Sequence, residues 1–113
     1  MSQITTHILD TSLGKPAQGV AIVLEQFIDN EKWQVLGSGK TNSDGRLPNL
    51  VSSEKLLKTG HYRLIFDTAS YFKIQGIKGF YPSVTLTFEL SDESHYHVPL
   101  LLNPYGYSTY RGS

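Results

Sequence analysis

At 113 residues the chain is the size of one domain, able to withdraw roughly two-thirds of its unfolded surface from water and so to build one core. Ten basic and ten acidic side chains cancel to a formal net charge of zero, and no run of like charges exceeds two residues, which argues against a nucleic-acid footprint or a membrane-surface patch. Cysteine is absent, which excludes disulfides and thiolate metal sites.

Period-two patterning dominates the chain. Residues 3 to 9 set Ile4, Thr6 and Ile8 against Thr5, His7 and Leu9, predicting a strand with one mixed face. Gly14, Pro16 and Gly19 make residues 10 to 19 a loop. Residues 20 to 28 are rich in β-branched and apolar side chains on both faces, as in a strand at the middle of a sheet. The polar turn Asp29-Asn30-Glu31-Lys32 joins it to a strand over 33 to 41, with Trp33 and Val35 opposed to Gln34 and Leu36, and the two form a hairpin. Thr41-Asn42-Ser43-Asp44-Gly45-Arg46 is a tight turn signalled by Asp-Gly, with Arg46 directly after it.

Residues 50 to 60 read mostly as loop. Residues 61 to 67 alternate again, with Tyr62, Leu64 and Phe66 on one face. Thr68 is expected to cap a short helix running to Gln75, and Gly76 to stop it. Val84, Leu86, Phe88 and Leu90 against Thr85, Thr87 and Glu89 form the cleanest strand with one buried face. Residues 91 to 94 turn the chain, and 95 to 102 form the penultimate strand. About seven short strands and one helix, without internal repeat or linker, predict an all-β two-sheet β-sandwich in a single domain over 1–113. The opening Met1-Ser2-Gln3-Ile4-Thr5-Thr6 has neither a basic nor an apolar leader region, and no apolar run approaches membrane-spanning length, so a cytoplasmic location is expected.

The last nineteen residues hold two of the four histidines and four of the seven tyrosines, behind Leu100-Leu101-Leu102, so this end is expected to be docked rather than frayed. In a strand starting at His95, His97 shares a face with Pro99 and Leu101, away from the side that Tyr96, Val98, Leu100 and Leu102 would bury. Pro99 cannot donate to a ladder and predicts a sheet edge or a bulge near His97. His95-x-His97 could seat two metal ligands with His7 as a third, but no carboxylate pattern orders such a site, and no metal is expected.

Taken singly, His7, Arg46 and His97 are ordinary strand and turn residues. Together they make a chemistry: histidine titrates near neutral pH and can activate water, while arginine can hold a planar anion or steady an oxyanion. No Gly-x-Ser-x-Gly elbow or Gly-rich phosphate loop is present, and the reading favoured is water-mediated hydrolysis without a cofactor.

Thr6-His7-Ile8-Leu9-Asp10, Thr41-Asn42-Ser43-Asp44-Gly45-Arg46, His95-Tyr96-His97-Val98-Pro99-Leu100-Leu101-Leu102 and the closing Tyr110-Arg111-Gly112-Ser113 together resemble the 5-hydroxyisourate hydrolases, the transthyretin-related family of urate breakdown. The likeness runs the whole chain, including Tyr62-Arg63-Leu64 and Phe66-Asp67-Thr68; Asn103 before Pro104, where the family commonly has serine, departs from it outside the catalytic set. The resemblance implies a transthyretin-like sandwich of two four-stranded sheets, assembled as a homotetramer with active sites at the dimer–dimer interface. It places the catalytic residues on His7, Arg46 and His97, with Tyr110, Arg111, Gly112 and Ser113 completing the substrate pocket, and gives His95 no catalytic position. Bulk added after Ser113 is therefore expected to impair turnover more than bulk at the other end. The implied reaction opens 5-hydroxyisourate, a small-molecule substrate, by hydrolysis of a cyclic amide. A transthyretin-like carrier of a hormone or apolar ligand, or a plain adhesive module, would need none of these residues, and transthyretin itself lacks this His/Arg/His set and the Tyr-Arg-Gly-Ser ending.

Overall fold

The computed structural model describes residues 2–113. Eight strands and one helix run in the order β1 (Ile4–Asp10), β2 (Lys15–Pro16), β3 (Ala21–Phe27), β4 (Trp33–Lys40), β5 (Gly60–Asp67), α1 (Thr68–Ile74), β6 (Val84–Leu90), β7 (Tyr96–Asn103) and β8 (Gly106–Thr109). They form two four-stranded sheets, ordered β2-β1-β7-β8 and β4-β3-β5-β6. The second sheet is antiparallel throughout, and the expected β3–β4 hairpin is its outer pair. The first sheet contains one parallel pair, β1 with β7, which brings the two ends of the sequence side by side.

Alternation decides what each strand buries. Ile4 and Ile8 from β1, Ile22 and Leu24 from β3, Tyr62, Leu64 and Phe66 from β5, Val84, Leu86 and Leu90 from β6, and Val98, Leu100 and Leu102 from β7 pack into one core between the sheets. The opposite positions are left on the outer faces, so Thr5, His7 and Leu9 of β1 and His97 and Leu101 of β7 are only half-buried. A bulge between Leu24 and Glu25 shifts the β3–β4 register, which leaves Val35 exposed and brings Leu36 against the core.

Four sequence expectations change. The stretch 10 to 19, read as loop, contains β2, whose two residues are both exposed and carry no hydrophobic signal. The cap of α1 is Asp67 rather than Thr68: the Asp67 carboxylate accepts from the Ser70 N–H at 3.1 Å, while Thr68 is buried and its hydroxyl donates to the Tyr81 carbonyl at 2.8 Å. The helix ends at Ile74, with Gln75 as its C-cap and Gly76 at φ 72° after it.

Pro99, read as marking an edge or bulge, lies instead in a central strand flanked by β1 and β8. Its carbonyl points to the β8 side, where it accepts from Thr109 Oγ1 at 2.7 Å, so its missing N–H also faces that side. The β7–β8 ladder stops at Leu100 opposite Thr109 and resumes in the same register at His97 opposite Gly112. Pro99 therefore falls in the gap opposite Tyr110, where the ladder lacks a donor.

Candidate active site

His7 and His97 reach the same outer face by the parallel register of β1 and β7, which sets Thr5 beside His97 and His7 beside Pro99. Arg46 arrives from the other side of β1. The turn before it is built by Asn42, whose Oδ1 accepts from the N–H groups of Asp44 and Arg46 at 2.9 and 3.1 Å. Gly45 then runs against β1: its carbonyl accepts from Ile8 N at 2.8 Å, its φ is 73°, and a Cβ there would stand 2.5 Å from the Ile8 carbonyl oxygen. The turn thus delivers Arg46 into an antiparallel bridge with His7.

A cavity of about 560 Å³ opens on this face, lined in part by Thr5, Arg46, Pro48, His95, His97 and Ser113. His7 is half-buried beside it without lining it. Among the described residues the ion pair present is Arg63 with Glu25, so the Arg46 guanidinium has no carboxylate partner and is available to an anion. Burial lowers the His97 pKa below the ordinary 6.5, and the positive charge of Arg46 acts in the same direction. His97 is therefore neutral at neutral pH, the form that can accept a proton. Among the described residues no group of three or more His, Cys, Asp or Glu side chains converges as a metal site requires.

The closing tetrapeptide divides. Gly112 donates its N–H to the His97 carbonyl at 2.8 Å and packs against the imidazole, and Ser113 lines the cavity. Tyr110 and Arg111 turn away into a separate groove of about 330 Å³ beside Phe88, Tyr96 and Val98. There the Arg111 guanidinium lies 4.2 Å from the centre of the Tyr96 ring, and it donates to Ser94 Oγ at 3.3 Å. Within one chain, then, His97, Arg46 and Ser113 meet, His7 adjoins them, and the Tyr110 and Arg111 side chains do not.

Two cavity residues that meet the His97 ring fall outside the set expected from sequence. His95 stacks beside His97 with ring centres 6.3 Å apart, and Thr5 Oγ1 lies 2.8 Å from both His95 Nε2 and His97 Nδ1. The signal for Thr5 was its place two residues before His7 on the same strand face; nothing in the sequence gave its partner.

The HIUase/Transthyretin family model matches residues 4–112. A Salmonella dublin protein named 5-hydroxyisourate hydrolase is 50% identical over 111 residues, covering 97% of this chain and 80% of its own length. Among solved structures, Klebsiella pneumoniae 5-hydroxyisourate hydrolase superposes with a TM-score of 0.84 at 34% identity, over 97% of this chain and 92% of that one. Sea bream transthyretin in complex with thyroxine superposes with a TM-score of 0.91 at 31% identity, over 98% and 95%.

Proposed function

Since the chain belongs to the HIUase/Transthyretin family, we propose that it hydrolyses 5-hydroxyisourate to 2-oxo-4-hydroxy-4-carboxy-5-ureidoimidazoline in urate catabolism, acting as a cyclic amide hydrolase without a cofactor. The observation that carries this reading is an unpaired Arg46 and a neutral, half-buried His97 on one cavity beside His7, in a chain half identical to a protein bearing that enzyme's name.

In the proposed step His97 takes a proton from water through the ring nitrogen not held by Thr5, and the resulting hydroxide adds to the C6 carbonyl. Arg46 orients the substrate and steadies the charge that grows on the carbonyl oxygen, and His7 helps to fix the water. The intermediate collapses with cleavage of the N1–C6 bond, N1 taking up the proton. Ser113 and Gly112 close the pocket against His97. We extend the reading to one transthyretin-like domain over 1–113, in the cytoplasm, assembled as a homotetramer with its sites at the subunit interface. Tyr110 and Arg111 would serve substrate binding at that interface, since their side chains leave the cavity of their own chain.

The test is direct. 5-Hydroxyisourate made from urate with urate oxidase is followed by its absorbance with and without the protein. Accelerated decay is expected, and His97→Ala is expected to lower kcat by roughly 100-fold or more, the scale of a lost general base. No acceleration over spontaneous decay by the unaltered protein would remove the hydrolase reading. The carrier reading draws on the superposition with sea bream transthyretin; it predicts tight thyroxine binding with no turnover, measured in the same preparation.

A further inference from the structure

Thr5 Oγ1 is placed 2.8 Å from His95 Nε2 and 2.8 Å from His97 Nδ1. A hydroxyl has one proton to give and lone pairs to receive with. It therefore cannot donate to both rings at once, and two arrangements satisfy both contacts while the imidazoles are neutral. In one, His95 Nε2–H donates to Thr5, Thr5 donates to His97 Nδ1, and His97 carries its own proton on Nε2. In the other, His97 Nδ1–H donates to Thr5, Thr5 donates to His95 Nε2, and His97 Nε2 is bare.

We propose that Thr5 and His95 are positioning residues for the hydrolysis: the Thr5 hydroxyl ties the tautomer of His97 to the protonation of His95 and passes a proton between them. The inference rests on the hydrolase reading, in which His97 must start with a bare Nε2. Only the second arrangement provides it. Both rings have Nε2 or Nδ1 engaged by the one hydroxyl, and His97 Nε2 has no partner among the described residues.

The step balances as follows. Water gives its proton to His97 Nε2; the Nδ1 proton moves to Thr5 Oγ1 while the Thr5 proton moves to His95 Nε2. His95, which already holds a proton on Nδ1, becomes imidazolium, and His97 is neutral again with a proton on Nε2. That proton is then in place for N1 as the N1–C6 bond breaks. Reversal of the two transfers returns the proton from His95 and restores the starting state, with no proton gained or lost by the relay.

The surroundings favour keeping charge away from His97. Arg46 and His7 face it, its ring is half-buried, and Gly112 and Ser113 pack at its side. His95 is exposed and borders a surface shared with Glu93 and Lys55, so water can solvate the transferred charge there. The parallel register puts the Thr5 hydroxyl beside His97, where it is the side-chain partner of Nδ1.

The experiment is nitrogen NMR of the imidazole rings, which reads each tautomer without substrate, combined with steady-state kinetics. In the unaltered protein at neutral pH, His97 is expected to be protonated on Nδ1 and bare on Nε2, and His95 bare on Nε2. Thr5→Val is expected to mix the His97 tautomers and to lower kcat by roughly 10-fold with KM nearly unchanged, and Thr5→Ser to restore both. His95→Ala, which removes the far end of the relay and leaves the strand intact, is expected to mix the His97 tautomers as well. A Thr5→Val or His95→Ala protein that kept the original His97 tautomer, or an unaltered His97 protonated on Nε2, would overturn the inference. If Thr5→Val does not fold, His95→Ala decides alone. Absence of turnover by the unaltered protein would fault the hydrolase reading instead, which the tautomer measurement does not depend on.

Discussion

Gly112 stands so close to the imidazole that a Cβ on it would lie 2.6 Å from His97 Cδ2. The ring, held on its other side by Thr5, would have to move. Gly112→Ala is therefore expected to lower kcat by roughly 100-fold, the cost of a displacement near 1 Å at a reacting group, while circular dichroism stays unchanged. Kinetics of that variant close to those of the unaltered protein would show that the tail does not set the His97 position. At this scale the sequence was informative about direction and silent about partners. That His97 faces away from the core followed from Tyr96, Val98, Leu100 and Leu102 on the other side of the strand, and the structure agrees. That His97 meets Thr5, 92 positions earlier, depends on a parallel register that no local pattern encodes.

Among the elements, the end of β1 and the helix are joined by one buried carboxylate. Asp10 is fully buried and accepts from Ser12 N, Ser12 Oγ, Leu13 N and Tyr71 Oη at 2.6 to 3.2 Å. Burial would raise its pKa, yet the four donors outweigh that and hold it below the ordinary 3.8. On the other partner, burial and the neighbouring carboxylate push the Tyr71 hydroxyl up to about 12. Because the fold favours ionised Asp10, this contribution is present above the unfolded value near 3.8 and is lost as pH falls through the lower folded value. Tyr71→Phe is expected to cost about 1–3 kcal/mol in urea unfolding at neutral pH, with a deficit that narrows below pH 4. An equal deficit at all pH values would mean that Asp10 is not the group responsible. Element legibility followed burial in the same way. Val84–Leu90 was plain because one face enters the core, whereas Lys15–Pro16 was hidden because neither residue does. Pro99 misled for a physical reason: a missing donor marks a gap in a ladder, and here the gap lies opposite Tyr110 inside the sheet, not at its edge.

For the whole molecule, the two-sheet architecture was legible from strand count and alternation, but assembly was not, since an interface has no period. Tyr105, Tyr107 and Tyr110, on and beside the outer strand β8, are 74%, 41% and 59% exposed, apolar surface that a neighbouring subunit would cover. Light scattering during gel filtration is expected to give the mass of four chains, and a monomer at assay concentration would contradict the proposed tetramer. The parallel pairing of β1 with β7 carries a further consequence, for biosynthesis. β1 leaves the ribosome well before its partner strand and the residues that pack on His97, and so long a loop closes slowly. A nascent chain can complete the β3–β4 hairpin and its pairing with β5 while the reactive face does not yet exist. On the proposed mechanism the chemistry is thus a late event of folding, and a chain that has emerged only as far as β5, though it holds His7, Arg46 and Thr5, is expected to be inert.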